Sequence, residues 1–374
     1  MRLAINAVRA KSGGAFSHLT GIISNIDPEV YGFDEVHLWT HRSMKNILPQ
    51  KSWLHIYCPD VSNKNIIYQL FWEFFILPRK LLQIECSLLF NVDAGSIARY
   101  KTSVTMSRDM LSYEPGELQR YGLSISSLRL LVLRYVQNLS LRNSTGVIFL
   151  TKYASKVIQN SCGKLKNIAY IPHGISSVFS NTKFNINKTF NSSLEILYIS
   201  NPAPYKHQTE VIQAISILKN EGFNVNLTLV GAESGAFQKK IDNKIKKIDP
   251  HGEFIKQYPY ENQNKLPIYI AAAHIFVFAS SCENMPNTLL EAMATGIPIA
   301  CSNRGPMPEI LSEGGSYFNP EDPTQIAKAV KTIITDEPLR KFYSERSRAL
   351  SSKYSWERCA AETFIYLSKI ASIK

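Results

Sequence analysis

Between residues 274 and 302 the hydrophobic period changes twice, and that alternation restricts what the chain can fold into. Residues 274–279 (HIFVFA) form a short apolar, β-prone run; 287–295 have helical spacing and close on Gly296; IPIACS is again a short apolar run. Strand, loop, helix and strand in this order describe a parallel sheet crossed by helices. Glu283 then falls in the loop at the carboxyl end of a strand, and Glu291 in about the first turn of the next helix. Loops at that end of an open α/β sheet are where ligands bind. Pro286 precedes the helix and Asn287 is expected to cap it, leaving free amides that can hold an anion or polar hydroxyls. Taken singly, Glu283 is equally well a solvated loop acid and Glu291 a complement to the helix dipole.

The 374 residues supply material for two domains with separate cores. Residues 1–8 read as an opening strand rather than a charged and apolar leader, so a cytoplasmic location is expected. The six cysteines show no CxxC pair or metal-like spacing and are expected to be reduced and structural. The net charge of +12 is lopsided: residues 1–190 hold 22 basic and 11 acidic side chains, residues 191–374 hold 20 and 19. A one-sided basic surface favours an anionic partner. No nucleic-acid module accompanies it, and the basic residues alternate with apolar ones, so an anionic membrane surface is preferred and nucleic acid is not expected.

After the first strand, KSGGAFSHL carries Gly13 and Gly14 into a helix expected to begin near Ser17; it is not a GxGxxG. Residues 66–82 (IIYQLFWEFFILPRKLL) are too short and too interrupted by Glu73, Pro78, Arg79 and Lys80 to span a bilayer. Core packing is the favoured reading of this segment, with interfacial membrane contact as the second. SVTMSRDML is strand-like and ends on Arg108 and Asp109, with Glu114 beyond. The Asn- and Ser-rich run 180–193 reads as a linker between domains at 1–185 and 190–355, and a last helix occupies 356–374. In the second domain LEILYIS leads into NPAPYKHQ, placing Lys206 just ahead of a helix, where a cation and free amides act together on a diphosphate.

Two glutamates with seven residues between them, PN among these, followed by EAMATGIPIACS, resemble the motif of the retaining GT-B glycosyltransferases of family 4. The resemblance is strong over 194–355 and looser before that. It implies an α/β GT-B fold, two facing Rossmann-like domains with an interdomain cleft and a C-terminal helix crossing back to the first. It also implies an α-linked product formed from a nucleotide-sugar donor, with no cofactor and no metal. Glu291 would take the ribose hydroxyls, Lys206 the diphosphate, Glu283 the donor sugar, Asn284 and Asn287 its remaining hydroxyls, and Gly14 would lie near the phosphates. Relatives carry a histidine where this chain has Arg108, and an arginine where it has Ser200. An always-charged guanidinium cannot do histidine's proton chemistry, though it can hold a phosphate. Arg108, Asp109 and Glu114 are therefore candidate acceptor-site residues, and Glu283, Asp109 and Arg108 are the expected catalytic set. The expected acceptor is a polyprenyl-pyrophosphate-linked or growing oligosaccharide at the inner face of the cell membrane. The likeness around YKHQ and ENMPN points to mannose as the transferred hexose. A non-catalytic scaffold or a nucleotide-sugar epimerase on the same fold stays open.

Overall fold

Short apolar runs of three to eight residues become the strands of two wholly parallel sheets. The computed structural model describes residues 1–10, 13–122, 124–182, 184–185, 188–190 and 193–373. The chain divides into one unit of Met1–Gly174 with Tyr354–Lys374 and a second of Ile175–Lys353.

In the first unit the strands are β1 (Arg2–Ala7), β2 (Glu35–Thr40), β3 (Leu54–Tyr57), β4 (Leu88–Asn91), β5 (Ser103–Ser107), β6 (Gly146–Phe149) and β7 (Ile168–Tyr170). Their order is β3-β2-β1-β4-β5-β6-β7. In the second they are β8 (Leu194–Ile199), β9 (Val225–Ala232), β10 (Ile255–Pro259), β11 (Ile275–Phe278), β12 (Ile299–Ser302) and β13 (Ser316–Phe318), ordered β10-β9-β8-β11-β12-β13. Helices cover both faces of such sheets, which is why β4, β11 and β12 are buried along their whole length and lack polar alternation. Both orders reverse, between β1 and β4 and between β8 and β11. A reversal parts the neighbouring crossovers and opens a crevice at the carboxyl ends of the strands.

The Trp356–Ala371 helix belongs to the first unit. A Cβ on Gly174 would lie 2.4 Å from the Trp356 backbone nitrogen, so only glycine admits this approach, and the Tyr366 hydroxyl accepts from the Val147 N–H at 3.0 Å.

Two local expectations change. The first helix runs Gly13–Ser24, starting at the glycines rather than near Ser17, so Gly14 lies in its first turn. Residues 66–83 form a helix, Ile66–Phe71, a wider π-type turn, Trp72–Ile76, and a second helix, Leu77–Gln83. Trp72, Leu77 and Leu81 join the core with Trp39 and Leu89, but Ile67, Phe71, Phe74 and Phe75 are exposed. The core reading holds for one face only. The widened turn comes just ahead of Pro78, whose ring in a regular helix clashes with the carbonyl four residues back.

Gly231, near the end of β9, has φ +118, and an added Cβ would sit 2.5 Å from the Ser200 carbonyl oxygen. Backbone is the obstacle, so relaxation is costly. Gly231→Ala is expected to lower stability by at least ~2 kcal/mol, read by urea denaturation; an unchanged midpoint would show that β9 can shift away from the 200–206 loop.

Candidate functional site

The β8/β11 reversal in the second unit gathers the residues expected to hold a donor. β8 runs into the 200–206 loop, and β11 into 279–286. Lys206 closes the short turn Pro204–Lys206, and its ammonium pairs with the Glu283 carboxylate from the other loop. Both side chains are mostly buried, and the lysine also stands over the Tyr205 and Phe278 rings, at 5.2 and 5.7 Å. Three further bonds tie the loops together. The Tyr198 hydroxyl donates to the Lys206 carbonyl at 2.7 Å, the Ser281 N–H donates to the Tyr205 carbonyl at 2.8 Å, and His207 Nε2 lies 3.0 Å from Ser281 Oγ. The lysine is thus positioned by groups that are themselves held, the condition for a preorganised charge.

Immediately after Lys206 begins the Gln208–Asn220 helix, with no side chain capping its amides. His207, at its start, has φ 48 in the left-handed region, which costs a non-glycine residue energy and occurs where surrounding structure enforces it. Its sequence signal, a histidine beside the lysine in YKHQ, carries no information about backbone angle. Free amides, the helix dipole and one ammonium are together the features that suit a phosphate or diphosphate.

Glu291 sits at the start of the second turn of the Asn287–Thr295 helix, one residue further along than expected, because Asn287 is the first helical residue rather than the cap, a place taken by Pro286. Proline fixes φ for the helix and gives no side-chain bond, so the amides at this end stay open. Glu291 is buried and accepts from the Gln263 amide. Burial drives its carboxyl up to about 7, against a smaller opposing effect of the Gln263 bond. Asn284 is buried in the same loop, and the Oδ1 of Asn287 is buried without a protein partner, an acceptor left for a ligand hydroxyl. Gly305, at φ +56, faces the Glu283 backbone nitrogen, 3.9 Å from where a Cβ would be. Ser200 receives the Gln208 amide on its carbonyl at 3.0 Å and its hydroxyl at 2.8 Å.

In the first unit, the β1/β4 reversal opens a cavity of about 350 Å³. Its walls include Asn6 of β1 and Arg9 just after it, Asp93 after β4, Arg108 and Asp109 after β5, and Glu73 from the widened turn. Glu73, noted in the sequence only as an interruption, is buried; it accepts from Asn6 Nδ2 and the Ile97 N–H, both at 3.1 Å, and pairs with Arg9 at 3.4 Å. Burial raises its carboxyl nonetheless. Arg108 has a buried Nη1 with no protein partner, and burial lowers its guanidinium to about 10 although Asp93 and Asp109 oppose this. Asp109 accepts from the Leu111 N–H at 2.9 Å, and burial raises its carboxyl. The cavity thus pairs acids whose protonation is perturbed with guanidinium donors that still have capacity. Gly14, also in this unit, is exposed at the first turn of its helix and lies outside the cavity wall, and Glu114 is engaged by the Tyr153 hydroxyl. His18 packs in the interior, Nδ1 to Nδ1 with His173 at 2.7 Å.

Among the described residues one group has the ligand atoms for a metal ion, Glu35, His37 and His55 on β2 and β3. Two of the three are already engaged: Glu35 pairs with Arg2 at 3.1 Å and His37 at 3.0 Å, and His37 also meets the Tyr57 hydroxyl at 3.1 Å, while the His55 ring stacks on His37 at 4.8 Å.

Two parallel-sheet Rossmann-like units with these reversals define the GT-B class of fold. Sucrose-phosphate synthase from Thermosynechococcus elongatus superposes with a TM-score of 0.76 at 15% identity, covering 97% of both chains. Anabaena HepE, solved in complex with UDP, superposes at 0.71 and 19% identity over 97% of this chain and 98% of that one. Residues 179–350 match the family described as Glycosyl transferases group 1. O-antigen chain mannosyltransferase B of Escherichia coli is 27% identical over 167 residues, 45% of this chain and 44% of that protein. Protein CapJ of Staphylococcus aureus is 25% identical over 244 residues, 65% and 60% of the two lengths. The chain thus matches about half the length of these curated relatives.

Proposed function

We propose that this protein is a glycosyltransferase that moves a hexosyl unit from a nucleoside diphosphate sugar to a growing or lipid-linked glycan, with retention at the anomeric carbon. The observation that carries this reading is the Lys206–Glu283 pair beside the uncapped helix at the β8/β11 reversal. Breaking the bond from the anomeric carbon to the diphosphate leaves an electron pair, and hence negative charge, on the leaving group. Lys206 and the helix amides stand where they can neutralise it, and need no metal to do so. Glu283 orients sugar hydroxyls or faces the positive charge that develops at the anomeric carbon. The acceptor hydroxyl oxygen forms the new bond, and its proton leaves with the diphosphate. Glu291 and the Asn287 oxygen take ribose and sugar hydroxyls as paired acceptors.

Acceptor groups are assigned to the first unit, where Arg108 holds a phosphate or hydroxyl and Asp109 and Glu73 accept hydrogen bonds from acceptor hydroxyls. The mannosyltransferase relative makes GDP-mannose the first donor to try, and HepE makes UDP-glucose the second. No helix among the described residues is long and apolar enough to cross a membrane; peripheral association at the cytoplasmic face is proposed from the basic surplus of residues 1–190. The test is mass spectrometry of lipid-linked oligosaccharide acceptors after incubation with each nucleotide sugar. Gain of one hexosyl unit with a single donor is expected; hydrolysis or epimerisation of the donor without a larger acceptor would overturn the assignment.

A further inference from the structure

Half of the exposed large hydrophobic side chains among the described residues belong to two helical stretches of the first unit, 66–83 and Ile125–Asn143. On the first, Ile67, Phe71, Phe74 and Phe75 point outward along one face, Ile67 at 72% exposure. On the second, Ile125, Leu128, Val132 and Tyr135 follow a spacing of three, four and three residues, one stripe of a helix, with Ile125 at 88% exposure. Folded proteins leave single apolar side chains in water routinely, but clustered aromatic and aliphatic faces mark an interaction surface.

The charges say what covers it. The exposed ionic residues on the first stretch are Arg79 and Lys80, while its one acid, Glu73, is buried against Arg9. The second stretch contains Arg129, Arg134 and Arg142 and no acid at all. A second copy of the same face would bring like charges together. Aromatic side chains with only basic neighbours suit the headgroup region of an anionic bilayer, where rings settle at the interface and each basic residue adds electrostatic attraction.

We infer that these two helices form an interfacial docking face that seats the first unit on an anionic lipid surface. The widened turn at Trp72–Ile76 serves this arrangement by turning Trp72 and Glu73 inward while Phe74 and Phe75 face out. Ile66 from one helix and Arg129 and Leu133 from the other also line the 350 Å³ cavity, so docking brings that cavity to headgroup level. This last consequence rests on the proposed acceptor role of the cavity, whereas lipid binding itself requires no turnover.

Co-sedimentation of the full chain with phosphatidylcholine vesicles containing about 30 mol% phosphatidylglycerol tests it, with pure phosphatidylcholine as the comparison and salt as a variable. The expected result is binding to the anionic vesicles that weakens with salt, and a loss of ten-fold or more in Phe71→Ser/Phe75→Ser and in Leu128→Ser/Val132→Ser. These side chains are exposed, so thermal stability and nucleotide-induced stabilisation are expected to match the parent. No binding to anionic vesicles, or undiminished binding by both variants, overturns the inference. A parent dimer that both variants convert to monomer, with no vesicle binding, assigns the face to a second copy instead.

Discussion

Lys206→Ala is expected to lower hexosyl transfer by about 10²–10³-fold, the effect of removing one preorganised charge-stabilising group from a leaving group. The loss belongs in kcat, because the charge on the diphosphate grows as the bond to the sugar breaks. The same substitution leaves Glu283, mostly buried, without its cation, and an uncompensated buried charge destabilises. A fall in activity alone therefore does not distinguish chemistry from folding. The double variant Lys206→Met/Glu283→Gln removes both charges and keeps the volumes. It is expected to melt close to the parent and still fail to transfer. Full stability with normal turnover in the double variant would remove Lys206 and Glu283 from the mechanism.

Glu291 supplies the second large effect, in stability and binding together. Its carboxyl, ordinarily near 4.5, is driven to about 7 by burial in the folded protein. The folded state therefore holds a proton that the unfolded chain releases between these values. The stability this contributes is complete below pH 4.5 and is lost as pH rises through 7, about 3 kcal/mol in all. Glu291→Gln carries no such proton, so its stability relative to the parent should climb across that window and level off above it. A ribose diol donates to the carboxylate and favours the ionised form. Binding of a nucleoside diphosphate should accordingly release a proton near neutral pH and tighten toward alkaline pH. In Glu291→Gln that dependence should vanish and affinity fall by ~10–100-fold, the value of charge-assisted hydrogen bonds. Equal pH profiles for the two proteins in calorimetry would show that Glu291 meets no ligand.

Much of this arrangement is written locally. The period changes around residues 274–302, the glycine after the helix and the apolar runs of β8 and β11 define strand, loop and helix without reference to anything distant. From these it follows that Lys206 and Glu283 each lie at the carboxyl end of a strand. That the two strands are neighbours, and that the side chains touch across 77 residues of sequence, depends on strand order, which hydrophobic period does not encode. Gln263 beside Glu291 was silent for the same reason. The 66–83 helix shows another limit. Its apolar residues occupy both faces, and the sequence reading gave them to the core. A widened turn ahead of Pro78 shifts the register, so Trp72 goes in, Phe74 and Phe75 go out, and Glu73 reaches the cavity. Helical periodicity assumes a regular turn, and here the turn is not regular. His207 is hidden differently: its left-handed backbone follows from closure of the 200–206 loop on Ser281, not from any preference of histidine.

Titration calorimetry of UDP, GDP, ADP and CMP against the parent and against Lys206→Met/Glu283→Gln tests whether the β8/β11 reversal holds a diphosphate. One nucleotide is expected to bind the parent, with affinity at least ten-fold lower in the variant and neither value changed by added chelator. Absence of binding by all four at millimolar concentration, or equal affinity in parent and variant, would contradict a diphosphate site at the β8/β11 reversal.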